Sequence, residues 1–170
     1  RSQVHANNLL HRAVHILIFN PSGEVFLQLR SRTKDRHPLK WDSSAAGHVN
    51  AGESYEKAAD RELFEELGIR TPLQQVAKLA ASDKTDQEFI RVYQGRYDSS
   101  MNLNSCEIES GNYFSPQLVD RWIKARPNEF APGFVECWRV WRQQNPNVAS
   151  GAGSSPALRR AWVRDPSQSA

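Results

Sequence analysis

A short strand, a glycine-containing loop and a helix are predicted from Gly47-His-Val-Asn-Ala-Gly-Glu53-Ser-Tyr-Glu-Lys-Ala-Ala-Asp-Arg61-Glu62-Leu63-Phe-Glu65-Glu66-Leu-Gly68-Ile69. Glu62, Glu65 and Glu66 stand at i, i+3 and i+4, so they are neighbours on one face of the helix. Carboxylates this close repel each other, and a fold that keeps them needs a compensating charge. A hard divalent cation such as Mg²⁺ supplies that charge, because it takes oxygen ligands. The pattern therefore predicts a metal site on this helix.

The same segment resembles the Nudix box, G-x5-E-x7-R-E-U-x-E-E-x-G-U, in which U is a bulky aliphatic residue. The defined positions that match are Gly47, Glu53, Arg61, Glu62, Leu63, Glu65, Glu66, Gly68 and Ile69. A solvated acidic helix face is the simpler alternative, but it explains neither the two glycines nor the arginine at their fixed offsets. The resemblance implies an α/β (α+β) fold, the Nudix-type α/β/α sandwich with a mixed sheet.

The length and composition of the chain fit one globular domain. A chain of 170 residues can bury a single sizeable core. Its formal net charge of +3 suits an anionic small-molecule substrate and does not indicate a specific nucleic acid. No apolar run reaches the roughly 18 residues of a membrane span, and the N-terminus lacks the apolar core of a signal peptide. Only two cysteines are present, Cys106 and Cys137, so we expect free thiols and a cytoplasmic location.

The hydrophobic pattern divides the chain into strands and helices. Strands are predicted over 13–19, 24–30, 41–46, 73–81, 88–97 and 107–114, and helices over 54–67, 116–125 and 127–144. Ser54 is expected to cap the first helix and Gly68 to end it in the left-handed conformation. Apolar residues at helical spacing between Phe130 and Trp141 predict a buried face. We therefore expect a Nudix domain over 1–144 and a Ser/Ala/Gly/Pro-rich tail over 145–170.

The Nudix resemblance assigns roles to the residues of the box. Members of this family hydrolyse diphosphates linked to another moiety. By resemblance, Glu62, Glu65 and Glu66 bind Mg²⁺, or Mn²⁺ in its place, together with the carbonyl oxygen of Gly47. Glu62 or Glu66 could also deprotonate the attacking water, and the sequence does not choose between them. Glu53 and Arg61 are expected to pair with each other or with the carboxylates and so hold the loop on the helix.

The chain from residue 5 to residue 68 also resembles the isopentenyl-diphosphate isomerase branch of the superfamily. The shared features are His5, Leu10-His11, Phe19-Asn20, Arg30 with Lys34, Pro38 before Trp41, and Gly47-His48. In those isomerases, histidines at the positions of His5, His11 and His48 bind a metal with the help of glutamates from a later strand. The later strand of this chain offers Glu88 beside Asp86. Whether the three histidines bind a second metal here is an open question.

Three departures from the isomerases favour hydrolysis. A cysteine directly before the glycine is the catalytic acid of the isomerases, but Ala46 occupies this position and has no proton to donate. The Nudix box is intact here, whereas the isomerases have altered it. The spacing from His5 to His11 is one residue shorter than in the isomerases, and the later strand has one glutamate. We therefore expect a hydrolase on an isomerase-like scaffold.

A basic segment follows the second predicted strand. Its five cations are Arg30, Arg32, Lys34, Arg36 and Lys40. Such a run is often a solvated surface. The alternative is that Arg30 and Lys34 contact the phosphates of the substrate, as equivalent residues do in the isomerases. An arginine can bind a phosphate with two donors, whereas a lysine acts as a point charge.

The combined expectation is a Mg²⁺-dependent Nudix pyrophosphohydrolase, which cleaves a diphosphate bond in a nucleoside diphosphate-type or related small molecule. An isomerase-like enzyme and a non-catalytic diphosphate-binding module are the alternatives. Loss of a box glutamate would favour the binding module, and none is lost. The sequence identifies neither the physiological substrate nor the oligomeric state. It is compatible with a homodimer.

Overall fold

The computed structural model describes residues 10–148 of the chain. Its strands are β1 His11–Phe19, β2 Val25–Arg30, β3 Trp41–Asp42, β4 Ala45–His48, β5 Gln74–Leu79, β6 Glu88–Arg96 and β7 Ile108–Phe114. Its helices are α1 Tyr55–Leu67, α2 Pro116–Ala125 and α3 Pro132–Gln144. Short 3₁₀ turns cover Asp83–Thr85 and Pro127–Glu129.

The strands form one mixed sheet with β1 at its centre. The order is β3-β2-β1-β6-β5, while β4 pairs with β1 and β7 pairs with β2. The β1–β6 pairing is parallel, whereas β1 pairs with β2 and β4 in antiparallel fashion. His11 lies opposite Glu88 and Ala13 lies opposite His48. This register brings the start of β1, the end of β4 and the start of β6 to the same place.

Both faces of the sheet are covered by helices, because alternate side chains of β1 point to opposite faces. Val14 and Ile16 belong to an apolar cluster that includes Leu63 of α1. Ala13 and Leu17 belong to a second cluster, which holds the buried residues of α3. The α/β/α sandwich with a mixed sheet is confirmed.

Helix α1 begins and ends as its sequence predicts. The Ser54 hydroxyl accepts a hydrogen bond from the backbone N–H of Lys57 at 3.2 Å, which caps the first turn. Gly68 ends the helix with φ of 67°, and its N–H donates to the Phe64 carbonyl. Both ends of the helix are therefore fixed by local hydrogen bonds.

The segment 41–46 was predicted as one strand, and this prediction was wrong. It forms two strands because β3 pairs with β2 whereas β4 pairs with β1. Ser43 and Ser44 lie at the break and are fully buried. The Ser44 hydroxyl donates to the Phe26 carbonyl and accepts from the Ile18 N–H, which joins β1 and β2 at this point. A hydroxyl can do both, so serine suits the crossing.

The prediction of one helix over 127–144 was also wrong. A 3₁₀ turn comes first, and α3 begins at Pro132. Ala131 has an extended backbone, and its N–H donates to the Trp41 carbonyl at 2.9 Å. A residue before proline disfavours helical dihedrals, which explains the break. The predicted aromatic face of α3 is confirmed, since Phe134, Cys137, Trp138 and Trp141 are buried.

Within residues 10–148, no helix is both long enough and apolar enough to span a membrane. Cys106 and Cys137 are both free thiols, the first exposed and the second buried. The segment predicted as a tail follows α3 from Asn145, and its residues from 149 onward lie outside the described part of the chain.

We expect Phe134→Ala to destabilise the fold by about 3–5 kcal/mol, because it leaves a cavity under α3. Phe134 is fully buried and lies near Phe130 and Trp138. Urea unfolding measures the loss. The matched control is Phe64→Ala on α1, whose side chain is 48% exposed. It is expected to cost about 1 kcal/mol or less, and equal losses for the two variants would contradict the packing described.

Candidate active site and metal centre

A cavity of about 290 Å³ lies beside the C-terminal half of α1. Its walls come from β1, β4, α1, the start of β6 and the segment between β2 and β3. Most of its lining side chains are ionisable, among them His15, Arg30, Lys34, Arg36, Asp42, His48, Glu62, Glu66, Asp86, Glu88 and Glu107. The cavity therefore suits a charged ligand.

Gly47 lies so close to Glu62 that a side chain at position 47 would force the Glu62 carboxylate to move. A Cβ atom built on Gly47 would lie 2.1 Å from the Glu62 carboxyl carbon. Glu62 itself is buried, with 3% of its surface exposed. The glycine of the motif therefore allows the backbone of β4 to approach a carboxylate of α1, which is the geometry a shared cation would need.

Glu66 is a second buried carboxylate in the cavity wall. Its Oε2 accepts hydrogen bonds from Gln28 Nε2 at 2.6 Å and from the Ala46 N–H at 3.3 Å. Lys34 Nζ lies 4.0 Å from Oε1. Burial nonetheless raises the pKa of Glu66 to about 8, with Lys34 and Gln28 opposing the rise. The charged form of Glu66 is therefore under-compensated by these neighbours, so a cation nearby would stabilise it.

Arg61 connects the loop after β4 to the acidic face of α1. Its guanidinium donates to both oxygens of Glu53 at 2.9 and 3.0 Å, to Glu62 at 2.6 Å and to Glu65 at 3.1 Å. It also donates to the His48 carbonyl at 2.9 Å. Glu53 and Arg61 thus pair with each other, and Arg61 also pairs with two of the carboxylates of the helix.

Glu65 occupies a different environment from Glu62 and Glu66. Its side chain is 51% exposed, and it is not among the residues that line the cavity. Its carboxylate contacts Arg61. The role of Glu65 as a metal ligand, which the motif implies, stays a prediction.

The basic segment divides into residues that face the cavity and residues that do not. Arg30, Lys34 and Arg36 line the cavity. Arg32 instead pairs with Glu109 at 2.6 Å, and Lys40 donates to the Asn128 carbonyl. The structure thus places both predicted phosphate contacts, Arg30 and Lys34, next to the glutamates, and Lys34 also pairs with Glu107.

A second group of possible metal ligands lies where the start of β1, the end of β4 and the start of β6 meet. Ligand atoms of His11, His48 and Glu88 all lie within 4.8 Å of one another. The Glu88 Oε1 is 3.0 Å from His11 Nε2 and 3.3 Å from His48 Nε2. Burial alone would raise the pKa of Glu88, but the hydrogen bonds with His11 and His48 lower it well below its ordinary value.

His5 and Asp86, which the isomerase-like comparison also named, do not belong to this group among the described residues. His5 lies outside the described residues. Asp86 lines the cavity, but its carboxylate is paired with His37 at 2.6 Å and with Arg36 at 2.9 Å. Asp86 therefore links the basic segment to the turn before β6.

The profile of the NUDIX domain matches residues 9–134. This chain belongs to the NUDIX family. It is 33% identical to an isopentenyl-diphosphate Delta-isomerase of Nocardia farcinica over 137 residues, covering 77% of this chain and 78% of the relative. It is 31% identical to an uncharacterized Nudix hydrolase of Pseudomonas aeruginosa over 142 residues, covering 83% of each chain.

Solved structures share the fold of this chain. The crystal structure of DR0079 from Deinococcus radiodurans superposes with a TM-score of 0.63 at 30% identity, covering 68% of this chain and 73% of that one. The NUDIX domain of Shewanella oneidensis NrtR, solved with ADP ribose, has a TM-score of 0.65, covering 85% of this chain and 98% of that one. At 13% identity the second match shows a shared fold only.

Three residues of this NUDIX site were not predicted from the sequence. Gln28, His15 and Asp42 are all buried, and they lie close to the cavity residues Glu66, Glu88 and Arg30, respectively. A polar residue in an otherwise apolar strand was a usable signal for Gln28. For His15 and Asp42 the signal was weak, because their neighbours depend on sheet pairings that the sequence does not display.

We expect Glu53→Gln to lower the melting temperature at pH 7, and the difference from the parent to shrink as the pH falls. Arg61 lowers the pKa of Glu53 from its ordinary value of 4.5 to about 2. A lowered pKa contributes stability that is fully present above the ordinary value and is lost as the pH falls toward 2. Thermal melts of both proteins between pH 7 and pH 2.5 measure the difference.

The control for this experiment is Glu109→Gln, which removes the carboxylate of an exposed pair with Arg32. Exposed pairs contribute little, so this variant should melt close to the parent at every pH. A difference for Glu53→Gln that stays constant down to pH 2.5 would contradict the role given to the Arg61 pairing.

Proposed function

We propose that this NUDIX protein is a divalent-metal-dependent hydrolase that cleaves the diphosphate bond of a small molecule. The observation that carries the proposal is the placement of Glu62 and Glu66. Both are buried and line the same cavity, and the backbone of Gly47 lies close to the Glu62 carboxylate. A structural role alone does not account for two buried carboxylates on one turn, because burying like charges together is costly.

The residues present fit a hard cation. The donors are the carboxylates of Glu62 and Glu66 and the carbonyl oxygen of Gly47, and Mg²⁺ or Mn²⁺ prefers such oxygen ligands. The raised pKa of Glu66 indicates that its carboxylate would gain from a positive charge. When bound, such an ion neutralises charge on the diphosphate and acidifies water.

The side chains of this chain then bind the substrate and move a proton. Arg30 and Lys34 line the same cavity as Glu62 and Glu66 and would hold the phosphate oxygens. Glu62 or Glu66 would accept the proton of the attacking water, since both are carboxylates in the cavity wall. Arg61 does not line the cavity, and its role is to hold Glu62 in place.

The class of substrate is supported by the neighbours in the family. The NrtR domain was solved with ADP ribose, and a neighbouring Caenorhabditis elegans enzyme is an Ap4A hydrolase. ADP ribose and Ap4A each contain phosphates that are joined to one another by anhydride bonds and to a nucleoside by an ester bond. A nucleoside diphosphate-type or related molecule is therefore the substrate that we propose to screen first.

An isomerase-like activity is the second candidate, and the His11–His48–Glu88 group is the observation in its favour. The relatives named isopentenyl-diphosphate Delta-isomerase point the same way. Ala46 argues against it, because an isomerase must both add a proton to its substrate and remove one. Ala46 lines the cavity next to Gly47 and has only a methyl group to offer.

We expect Glu62→Gln and Glu66→Gln each to lower turnover by roughly 100-fold or more, because each removes a charged oxygen ligand or base. The assay is release of phosphate or monophosphate from a panel of diphosphates with Mg²⁺. Without metal, Glu66→Gln should melt no lower than the parent, since it removes an under-compensated charge. Added Mg²⁺ should raise the melting temperature of the parent but not that of Glu66→Gln.

The control is Glu136→Gln on α3, which pairs with Arg139 outside the cavity. It should keep the turnover of the parent and the stabilisation by Mg²⁺. Turnover of Glu66→Gln at the parent rate would show that the ligand assignment is wrong.

We expect no interconversion of isopentenyl and dimethylallyl diphosphate by the pure protein, because Ala46 cannot act as an acid. The measurement is incubation with isopentenyl diphosphate and a divalent metal, with the isomer content and the released phosphate followed together. Formation of the dimethylallyl isomer would overturn the hydrolase assignment and require another proton donor in the cavity.

A further inference from the structure

Asp42 is a buried carboxylate in the wall of the cavity, and the reaction described above gives it no task. We propose that Asp42 is a positioning residue, which holds the guanidinium of Arg30 in the orientation that binds the diphosphate of the substrate. This inference rests on the proposed function, because that function supplies the contact between Arg30 and phosphate.

The surroundings of Asp42 show what its charge does. Only 2% of the residue is exposed. Its Oδ2 accepts from Arg30 Nη1 at 2.8 Å, and its Oδ1 accepts from the Ser43 N–H at 2.7 Å. His15 Nδ1 lies 3.8 Å from Oδ1 but is hydrogen-bonded to the Ser43 hydroxyl. A buried carboxylate is costly without a cation, and Arg30 is the permanent cation in contact with it.

The sheet register places the two residues together. Gln28 of β2 lies opposite Asp42 of β3, and Arg30 is two residues beyond Gln28. Residues two apart on a strand share a face, so Arg30 and Asp42 are diagonal neighbours on adjacent strands. The backbone is fixed at the same point, since the Arg30 N–H donates to the Lys40 carbonyl at 2.9 Å. The pair therefore lies where β2 and β3 are joined by backbone hydrogen bonds.

The donors of Arg30 can be counted. A guanidinium has five N–H donors in a fixed fork. Nε and Nη2 both donate to the Arg36 carbonyl, at 3.3 and 3.0 Å, and Nη1 donates to Asp42. One N–H on each terminal nitrogen has no part in these bonds. These remaining donors are available to the phosphate oxygens of a ligand in the cavity.

The orientation of the Arg30 guanidinium depends on two acceptors, Asp42 and the Arg36 carbonyl. The carbonyl holds one side of the guanidinium, and Asp42 holds the other. Without Asp42 the guanidinium could turn toward other acceptors through the aliphatic side-chain torsions of Arg30, and binding would then have to supply the cost of ordering it. The loss should appear in substrate binding, while the rate of the bound complex changes much less.

The test is a double-mutant cycle with Asp42→Asn, Arg30→Ala and the double variant. Binding of methylenediphosphonate, a diphosphate that cannot be hydrolysed, is measured by calorimetry in the presence of Mg²⁺. Asp42→Asn is expected to weaken binding roughly tenfold, as for loss of one charge-assisted hydrogen bond. In the Arg30→Ala background the same substitution should have almost no effect. For the best substrate of the panel, KM should rise while kcat changes less than about threefold.

Two further variants separate positioning from stability. Asp42→Glu keeps the buried charge but moves the carboxylate by one methylene group, so it should fold and still bind the diphosphonate more weakly. The matched control is Asp120→Asn, because Asp120 accepts from Arg142 at 2.9 Å in a pair outside the cavity. It can lower the melting temperature but should leave binding unchanged.

Every outcome decides the proposal. Equal weakening by Asp42→Asn in the parent and in the Arg30→Ala background would show that Asp42 acts by another route. Parent-like binding by both Asp42 variants would overturn it as well. If the parent cleaves diphosphates but Arg30→Ala binds like the parent, the inference fails and the proposed function stands. If the parent neither binds nor cleaves any diphosphate, the proposed function itself fails.

Discussion

The site depends on the pairing of Arg61 with the acidic groups around it. One guanidinium contacts Glu53, Glu62 and Glu65 and the backbone carbonyl of His48. Without this cation, the carboxylates of α1 would repel each other, and the loop after β4 would lose the contacts that Arg61 makes with Glu53 and the His48 carbonyl. A lysine has no planar set of five donors and could not make these contacts together. The arginine of the motif is therefore an organising residue, and it leaves the cavity wall to the glutamates.

The short strand β4 connects two different groups of ligands. Gly47 and His48 are consecutive, and neighbouring residues of a strand point to opposite faces. Gly47 contacts Glu62 on the α1 side, whereas His48 lies close to His11 and Glu88, the first residues of β1 and β6. One group offers only oxygen atoms and the other offers nitrogen and oxygen, so they suit different metals. The relatives of this chain include a protein named as a Nudix hydrolase and a protein named as an isopentenyl-diphosphate Delta-isomerase.

The sequence predicted the local features of the fold and site, and it missed those that depend on distant contacts. The caps of α1 at Ser54 and Gly68 were predictable because capping is decided within one turn. The break between β3 and β4 was not, because it arises when Ser43 and Ser44 pass from one partner strand to another. Asp42 was missed for the same reason. Its contact with Arg30 spans 12 positions and exists only in one register of β2 and β3.

The parallel pairing of β1 with β6 has a consequence for how the site is assembled. His11 and Glu88 meet across 77 positions of the chain, while the whole acidic motif lies between them. Contacts between such distant segments form slowly, because the entropy of closing a long loop is lost before the contacts stabilise the fold. A nascent chain that ends before residue 88 holds every residue of the motif but lacks the strand that pairs along the full length of β1. In this protein the motif marks the chemistry, but it is not a unit that folds alone.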